Sequence, residues 1–256
     1  MLARSRRKIS MSGLLRNPPI EESDDLYGLV RHIGIVMDGN RRWAQKSGLS
    51  LGAAYRAGAR RIPPLLDACV RLGVEVVTLW ALAQENLQRA SGTIEDLMAV
   101  ISSGLSNMAS TRRWRLRIIG DLRLLPPEKA CVLRCIEEST RQVSGLVVNV
   151  AIAHSGRAEI IEAVRSLMAD QAAGIGPCWD SRRLEDEFTE RLSTAGQPDP
   201  DLIVRTSGEQ RTSGFLLWQA AQSELVFSRK DWPEFGEDDL LNAIRQFSLR
   251  RRTFGR

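Results

Sequence analysis

Two short stretches of this chain place charged and turn-forming residues where apolar runs end. The first is HIGIVMDGNRRWA, residues 32–44. Ile33, Ile35, Val36 and Met37 read as a buried strand that stops at Asp38-Gly39-Asn40-Arg41-Arg42. Backbone N–H groups where a strand gives way to a helix favour an anion. Gly39 lets the backbone approach a ligand closely. Arg41 and Arg42 add forked donors that match phosphate oxygens. Asp38 fits this company if a cation bridges it to the phosphate, as Mg²⁺ does with one or two carboxylates plus phosphate oxygens. The plainer alternative is an N-capping Asp beside two surface arginines.

The second stretch, PDPDLIVRTSGEQRTSGFLLWQ, repeats the theme at residues 198–219. A strand, DLIVRT, again ends in a loop of Arg, Ser, Gly, Glu and Arg. Arg205, Ser207, Arg211 and Ser213 could line a diphosphate pocket, with Gly208 and Gly214 folding the loop around it. Downstream, SELVF carries Glu224, a second acidic candidate for Mg²⁺. Two basic loops with two carboxylates suit two phosphorylated substrates or one long one. Neither loop matches GxxxxGK[ST] or GxGxxG, so a P-loop ATPase or a Rossmann dehydrogenase is unsupported.

The elements that must position these loops alternate along the chain. Strands are expected at IGIVMD, EVVTLWALA, WRLRIIGD, GLVVNVAIA and DLIVRT. Helices are expected over about 41–72, with breaks near Gly48 and Pro63-Pro64, and then at TIEDLMAVISSGLSNM, PPEKACVLRCIEEST, GRAEIIEAVRSLMADQ, SRRLEDEFTERL and DDLLNAIRQFSLRRR. Apolar runs of strand length separated by helices predict an α/β fold, a single domain with a mostly parallel central sheet flanked by helices. Ligands in such sheets bind at the carboxyl ends of strands. Residues 1–28 read as a flexible N-terminal segment and 29–256 as the catalytic domain.

Composition narrows the class. The 256 residues are 43% hydrophobic and 26% charged, enough to bury a real core. No run reaches the length of a membrane helix, and the basic first residues lack a long apolar core, so a cytoplasmic protein with at most peripheral membrane contact is expected. The net charge of +5 invites a polyanion. However, the arginines sit in short loops rather than one stripe, and aromatic residues, at 5%, are not interleaved with them, so nucleic acid is not expected as a partner. Cys69, Cys131, Cys135 and Cys178 show no metal spacing and read as ordinary thiols; Cys131 and Cys135 fall on one helix face.

Taken together, HIGIVMDGNRRWA, ENLQR, RLRIIGDL, NVAIAHSGRAEII, the 198–219 stretch, SELVF and DWPEF resemble the cis-prenyltransferases, the family of undecaprenyl diphosphate synthase and the short-chain Z-farnesyl diphosphate synthases. The match covers about residues 31–256. The resemblance implies a homodimeric enzyme that joins an allylic diphosphate to isopentenyl diphosphate with Mg²⁺. It assigns Asp38 to Mg²⁺ and the allylic diphosphate, and Gly39, Asn40, Arg41 and Arg42 to that diphosphate. It assigns Arg205, Arg211 and Ser213 to the second diphosphate and Glu224 to its Mg²⁺. Asn86 and Arg89, in ENLQR, join the site, Asn86 as a catalytic candidate, and Trp43 is expected to pack on substrate.

Several positions depart from the family pattern: Ala83 for Ser, Leu87 for Trp, His154-Ser155 for Tyr-Gly, and Gln222 for Tyr. Leu51, Tyr55, ENLQR and a shorter segment between Arg89 and Arg115 look like the short-chain enzymes, and favour a product of geranyl to farnesyl length. Ala83, His154, Ser155 and Gln222 are expected to cluster near the second substrate's hydrocarbon end, with His154 as a substrate contact and candidate base. That surround also suits an alternative, the irregular head-to-middle coupling of two allylic diphosphates to a lavandulyl-type product. A long-chain synthase is less favoured. A non-catalytic partner subunit typically loses the Asp and arginines retained here. His32 is expected to be structural.

Overall fold

The strands end where an apolar run meets a polar residue or a glycine: Asp38, Gln84, Gly120, Ser155, Arg205 and Ser228. A computed structural model describes residues 24–174 and 181–250. Among them six strands form one parallel sheet: β1 (His32–Val36), β2 (Val76–Ala83), β3 (Arg115–Ile119), β4 (Val147–His154), β5 (Leu202–Arg205) and β6 (Glu224–Phe227), in the spatial order β3-β4-β2-β1-β5-β6. The order reverses beside β1, where a parallel α/β sheet opens a crevice for ligand. Val36 and Arg205 are register partners, so both basic loops leave the sheet from neighbouring strands. SELVF, read from sequence only as a carrier of Glu224, is the edge strand β6.

The helix expected over 41–72 is three helices: α1 (Asn40–Ser47), α2 (Leu51–Ala59) and α3 (Ile62–Arg71). The first break falls at Gly48 as expected. The second falls at Arg60-Arg61, because Pro63 and Pro64 sit in the first turn of α3, where a missing N–H has no intrahelical partner to lose. The remaining helices are α4 (Ser91–Thr111), α5 (Pro127–Ser139), α6 (Gly156–Ala172), α7 (Ser181–Thr189) and α8 (Glu237–Ser248).

Side chains alternate across the strands. Ile33, Ile35, Leu202 and Val204 enter the main core with α3, α4, α5 and α8, while Val36 and Ile203 meet Phe215 and Leu216 on the other face. The folded unit starts before the boundary read from sequence: Leu26 is buried in the main core, and the Gly28 N–H donates to the Leu72 carbonyl. Residues 1–23 and Cys178 lie outside the described residues. Cys69 is buried, and Cys131 and Cys135 are exposed on α5.

His32 is structural, as expected. It is fully buried at the amino end of β1, with Nδ1 2.7 Å from the Pro198 carbonyl and Nε2 2.8 Å from the Thr78 hydroxyl. A carbonyl only accepts, so Nδ1 carries the proton and Nε2 accepts from Thr78 in the neutral ring. Burial pushes the His32 pKa down to about 4, outweighing the Pro198 carbonyl and Asp201, which favour the cation. The unfolded chain therefore binds a proton that the folded chain refuses between the ordinary histidine value and about pH 4. Stability should fall by roughly 3 kcal/mol as the pH drops through that window, and level off below it. Urea midpoints across this range should show the slope, and His32→Gln should flatten it.

Candidate active site

The DGN turn has its shape because of what stands behind it. Gly39 has φ +103°, and a Cβ there would lie 2.4 Å from Asp231 Oδ1 and 2.8 Å from Asp231 Cα. The Trp232 N–H donates to the Asp38 carbonyl at 2.9 Å, and Asp231, almost fully buried, accepts from Lys46 Nζ at 2.7 Å. The DWPEF segment thus buttresses the loop. α1 begins at Asn40 with no side-chain cap, and its first intrahelical bond runs from the Trp43 N–H to the Gly39 carbonyl. The N–H groups of the first turn are left to face an anion.

Asp38 is placed between this turn and the second loop. Its Oδ1 accepts the Gly39 N–H at 2.7 Å and its Oδ2 accepts Arg205 Nη2 at 2.8 Å. Partial burial raises the Asp38 pKa, but the Arg205 guanidinium and the Gly39 N–H outweigh it and hold the carboxyl below its ordinary value. Arg205 is buried, and its Nη1 donates to the Arg211 carbonyl at 2.7 Å and to Ser213 Oγ at 2.8 Å. Its Nε, also buried, has no partner among the described residues. Ser207 and Ser213 both take left-handed backbone conformations that wrap the loop around Arg205.

Both loops open on one cavity of about 1410 Å³. That exceeds the roughly 300–1,000 Å³ usual for a small-molecule pocket. Asp38, Gly39, Asn40, Arg41, Arg42, Asn86, Arg89, Arg205, Arg211 and Ser213 all line it. Beyond these heads the lining becomes apolar, with Tyr55 of α2, Leu79 and Ala81 of β2, and Leu97, Ile101, Leu105 and Met108 of α4. Trp114 and Arg113 also line it; the Arg113 guanidinium lies 4.6 Å over the Trp114 ring and pairs with Asp67 of α3.

Three expected site residues lie elsewhere. Glu224 opens β6, at the amino edge of the sheet, whereas Asp38 follows the carboxyl end of β1; within one chain the strand direction keeps them apart. Glu224 instead accepts Arg250 Nη1 at 2.6 Å. Glu85 is the cavity's carboxylate besides Asp38. Trp43 is partly exposed on α1 and outside the lining. His154 is buried edge-on to Trp80 and Phe215, with ring centroids 6.3 and 6.2 Å away, and is likewise outside the lining. Burial depresses the His154 pKa, against the opposing fields of Glu159 and Glu85. Of its expected companions, Ala83 is its register partner and lines the cavity with Ser155, while Gln222 does not.

Sequence reasoning also missed residues. Arg157 lines the cavity from the first turn of α6. The signal was present, since HSGR repeats the strand, glycine, arginine order of MDGNRR. Glu209 bridges Arg42 and Arg211, and Asp231 supports the turn.

No described helix is long and apolar enough to cross a membrane. The undecaprenyl diphosphate synthase family model matches residues 36–255. The chain is 46% identical over 228 residues to a (2Z,6E)-farnesyl diphosphate synthase of Thermobifida fusca, covering 88% of this chain and 89% of that protein. It is 43% identical over 235 residues to a (2Z,6E)-farnesyl diphosphate synthase of Mycobacterium tuberculosis, covering 89% and 88%. The fold matches the crystal structure of lavandulyl diphosphate synthase from Lavandula x intermedia in complex with dimethylallyl diphosphate, with a TM-score of 0.83 at 30% identity over 89% of this chain and 98% of that one. Two basic loops on neighbouring strands, one shared cavity and these likenesses lead to one assignment: the chain is a prenyltransferase and belongs to the undecaprenyl diphosphate synthase family.

Proposed function

We propose that the enzyme couples geranyl or dimethylallyl diphosphate with isopentenyl diphosphate to a short-chain Z-prenyl diphosphate, releasing inorganic diphosphate. The observation that carries this reading is the opening of both basic loops onto one cavity with an apolar extension. The allylic C1–O bond breaks with its electron pair going to the diphosphate oxygen. The double bond of the second substrate supplies the pair for the new C–C bond, and a neighbouring carbon loses a proton to restore a double bond. Arg41, Arg42 and the first-turn N–H groups face the oxygens where negative charge grows, which lowers the barrier. Arg205, Arg211 and Ser213 hold the second diphosphate. The apolar wall keeps water from the allylic cation.

Asp38 fits Mg²⁺: its carboxyl lines the cavity, is 36% exposed and is held ionised by Arg205 and the Gly39 N–H, and Mg²⁺ is commonly held by one or two carboxylates with substrate oxygens and water completing its shell. Bound there, Mg²⁺ supplies positive charge to the leaving group.

We further propose that a second copy completes the enzyme. Ile161, Val164 and Met168 form an apolar stripe on α6 that is exposed in the single chain, and Leu217 and Trp218 are exposed near the start of that helix. Light scattering of the purified protein should report a dimer.

The test of function incubates protein and Mg²⁺ with dimethylallyl, geranyl or farnesyl diphosphate, with and without isopentenyl diphosphate, and identifies the dephosphorylated products by mass spectrometry. A Z-prenol of geranyl to farnesyl length that requires isopentenyl diphosphate is expected. A branched alcohol formed without it would instead support head-to-middle coupling, the reading favoured by Ala83 and Ser155 in the cavity wall. No product from any mixture would point to a partner subunit.

A further inference from the structure

We propose that Glu209 is a built-in counter-ion that occupies the two diphosphate grips between turnovers and is exchanged for substrate. The inference rests on the diphosphate reading of the site. Glu209 Oε1 lies 3.2 Å from Arg42 Nη2, and Oε2 lies 2.5 Å from Arg211 Nη1. One carboxylate therefore spans both basic loops, each oxygen taken by the guanidinium of a different grip. Its position follows from the backbone: Ser207 and Gly208 have φ of +78° and +77°, which turns the chain so that Glu209 faces back toward Arg42.

Glu209 is not needed for the shape of either loop. The second loop is already held from within, by Arg205 bonding to Ser213 and to the Arg211 carbonyl. The first is held from behind, by Asp231 with Lys46 and by the Trp232 N–H. What Glu209 contributes is charge. The side chains of Arg42 and Arg211 are 44% and 60% exposed, so these ion pairs are weak and exchange with solvent. By contrast, the Asp38–Arg205 pair, with its guanidinium buried and its carboxylate half-buried, is the permanent layer beneath. A diphosphate, with more charge and more oxygens than one carboxylate, displaces Glu209 from both arginines on entry. As the product diphosphate leaves, the carboxylate returns, so release is an exchange of anions; Arg42 keeps Asp231 Oδ1 4.0 Å from its Nε throughout.

Removing a competitor tightens the ligand. Isothermal titration of the full chain with inorganic diphosphate should show Glu209→Gln binding about fivefold more tightly than wild type, since each exposed pair removed contributes a modest factor. Inhibition of turnover by inorganic diphosphate should strengthen to the same extent. Equal or weaker binding by Glu209→Gln, with the wild type binding normally, overturns the exchange and makes Glu209 an ordinary structural contact. A wild type that binds no inorganic diphosphate overturns the diphosphate reading itself, and the exchange with it.

Discussion

Asp38→Asn should lower kcat/KM by about a thousandfold while leaving the fold in place, because on the proposed reading the carboxylate would hold the Mg²⁺ whose charge offsets that of the leaving diphosphate. The amide keeps one oxygen that can accept Arg205 Nη2 and preserves side-chain volume; its NH2 cannot accept the Gly39 N–H, but the Trp232 N–H still holds the Asp38 carbonyl, so the loop should persist. What disappears is the negative charge. Arg205, with 7% of its side chain exposed, is left without its counter-charge, and Glu85 becomes the remaining carboxylate of the cavity lining. Steady-state kinetics with circular dichroism of the same preparation separates the two effects. A variant retaining a tenth of wild-type activity would remove Asp38 from the mechanism. The wild-type pH profile bears on the same residue. The lowered pKa means that the ion pair is intact above the ordinary aspartate value and is lost only as the pH falls through the depressed one. An acid limb near neutral pH must therefore belong to another group.

The second large effect is expected from a single methyl group. Gly39→Ala must place a side chain at φ +103° and push a Cβ into Asp231, whose backbone and carboxylate are both within 3 Å of it. Left-handed strain and overpacking each contribute about 1–3 kcal/mol. Together they should lower the melting temperature by about 5–15 °C in a chain of this size. Gly48→Ala is the control: its φ is +64° but nothing lies within 4 Å of the added atom, so it suffers the backbone strain alone. Equal melting shifts in the two variants would show that the Asp231 contact is not what fixes the turn. Activity of Gly39→Ala should fall further than its stability, since Asp38 and the first turn of α1 move with it.

What the sequence made legible was local. The order of apolar run, glycine and arginine located both basic loops that open on the cavity, because that order is read along the chain and needs no partner. Strand direction was the harder inference. SELVF resembles a metal-binding motif, yet Glu224 opens its strand while Asp38 follows the end of another, and a linear motif does not say at which edge of the sheet it stands. Trp43 and His154 failed for a related reason. Trp43 lies one residue, about a quarter turn of helix, beyond Arg42, enough to leave the cavity wall. His154 ends β4 with its ring turned to Phe215 and Trp80, contacts made across the sheet by residues distant in sequence. Pro63-Pro64 looked like a helix break because proline interrupts a helix interior; the chain places the pair in a first turn instead. Four-residue β6 was too short to carry a period of its own.

Val36 and Arg205 face each other across one parallel ladder. Adjacent strands are held about 4.8 Å apart by their backbone hydrogen bonds. The two basic loops therefore inherit their spacing from the main chain. The room for the hydrocarbon tails is set elsewhere, by side chains of α2, α4 and β2. Reaction geometry and tail length are in this sense separately adjustable quantities. Substitutions along α4 are expected to change the length of the product while the two loops keep their spacing.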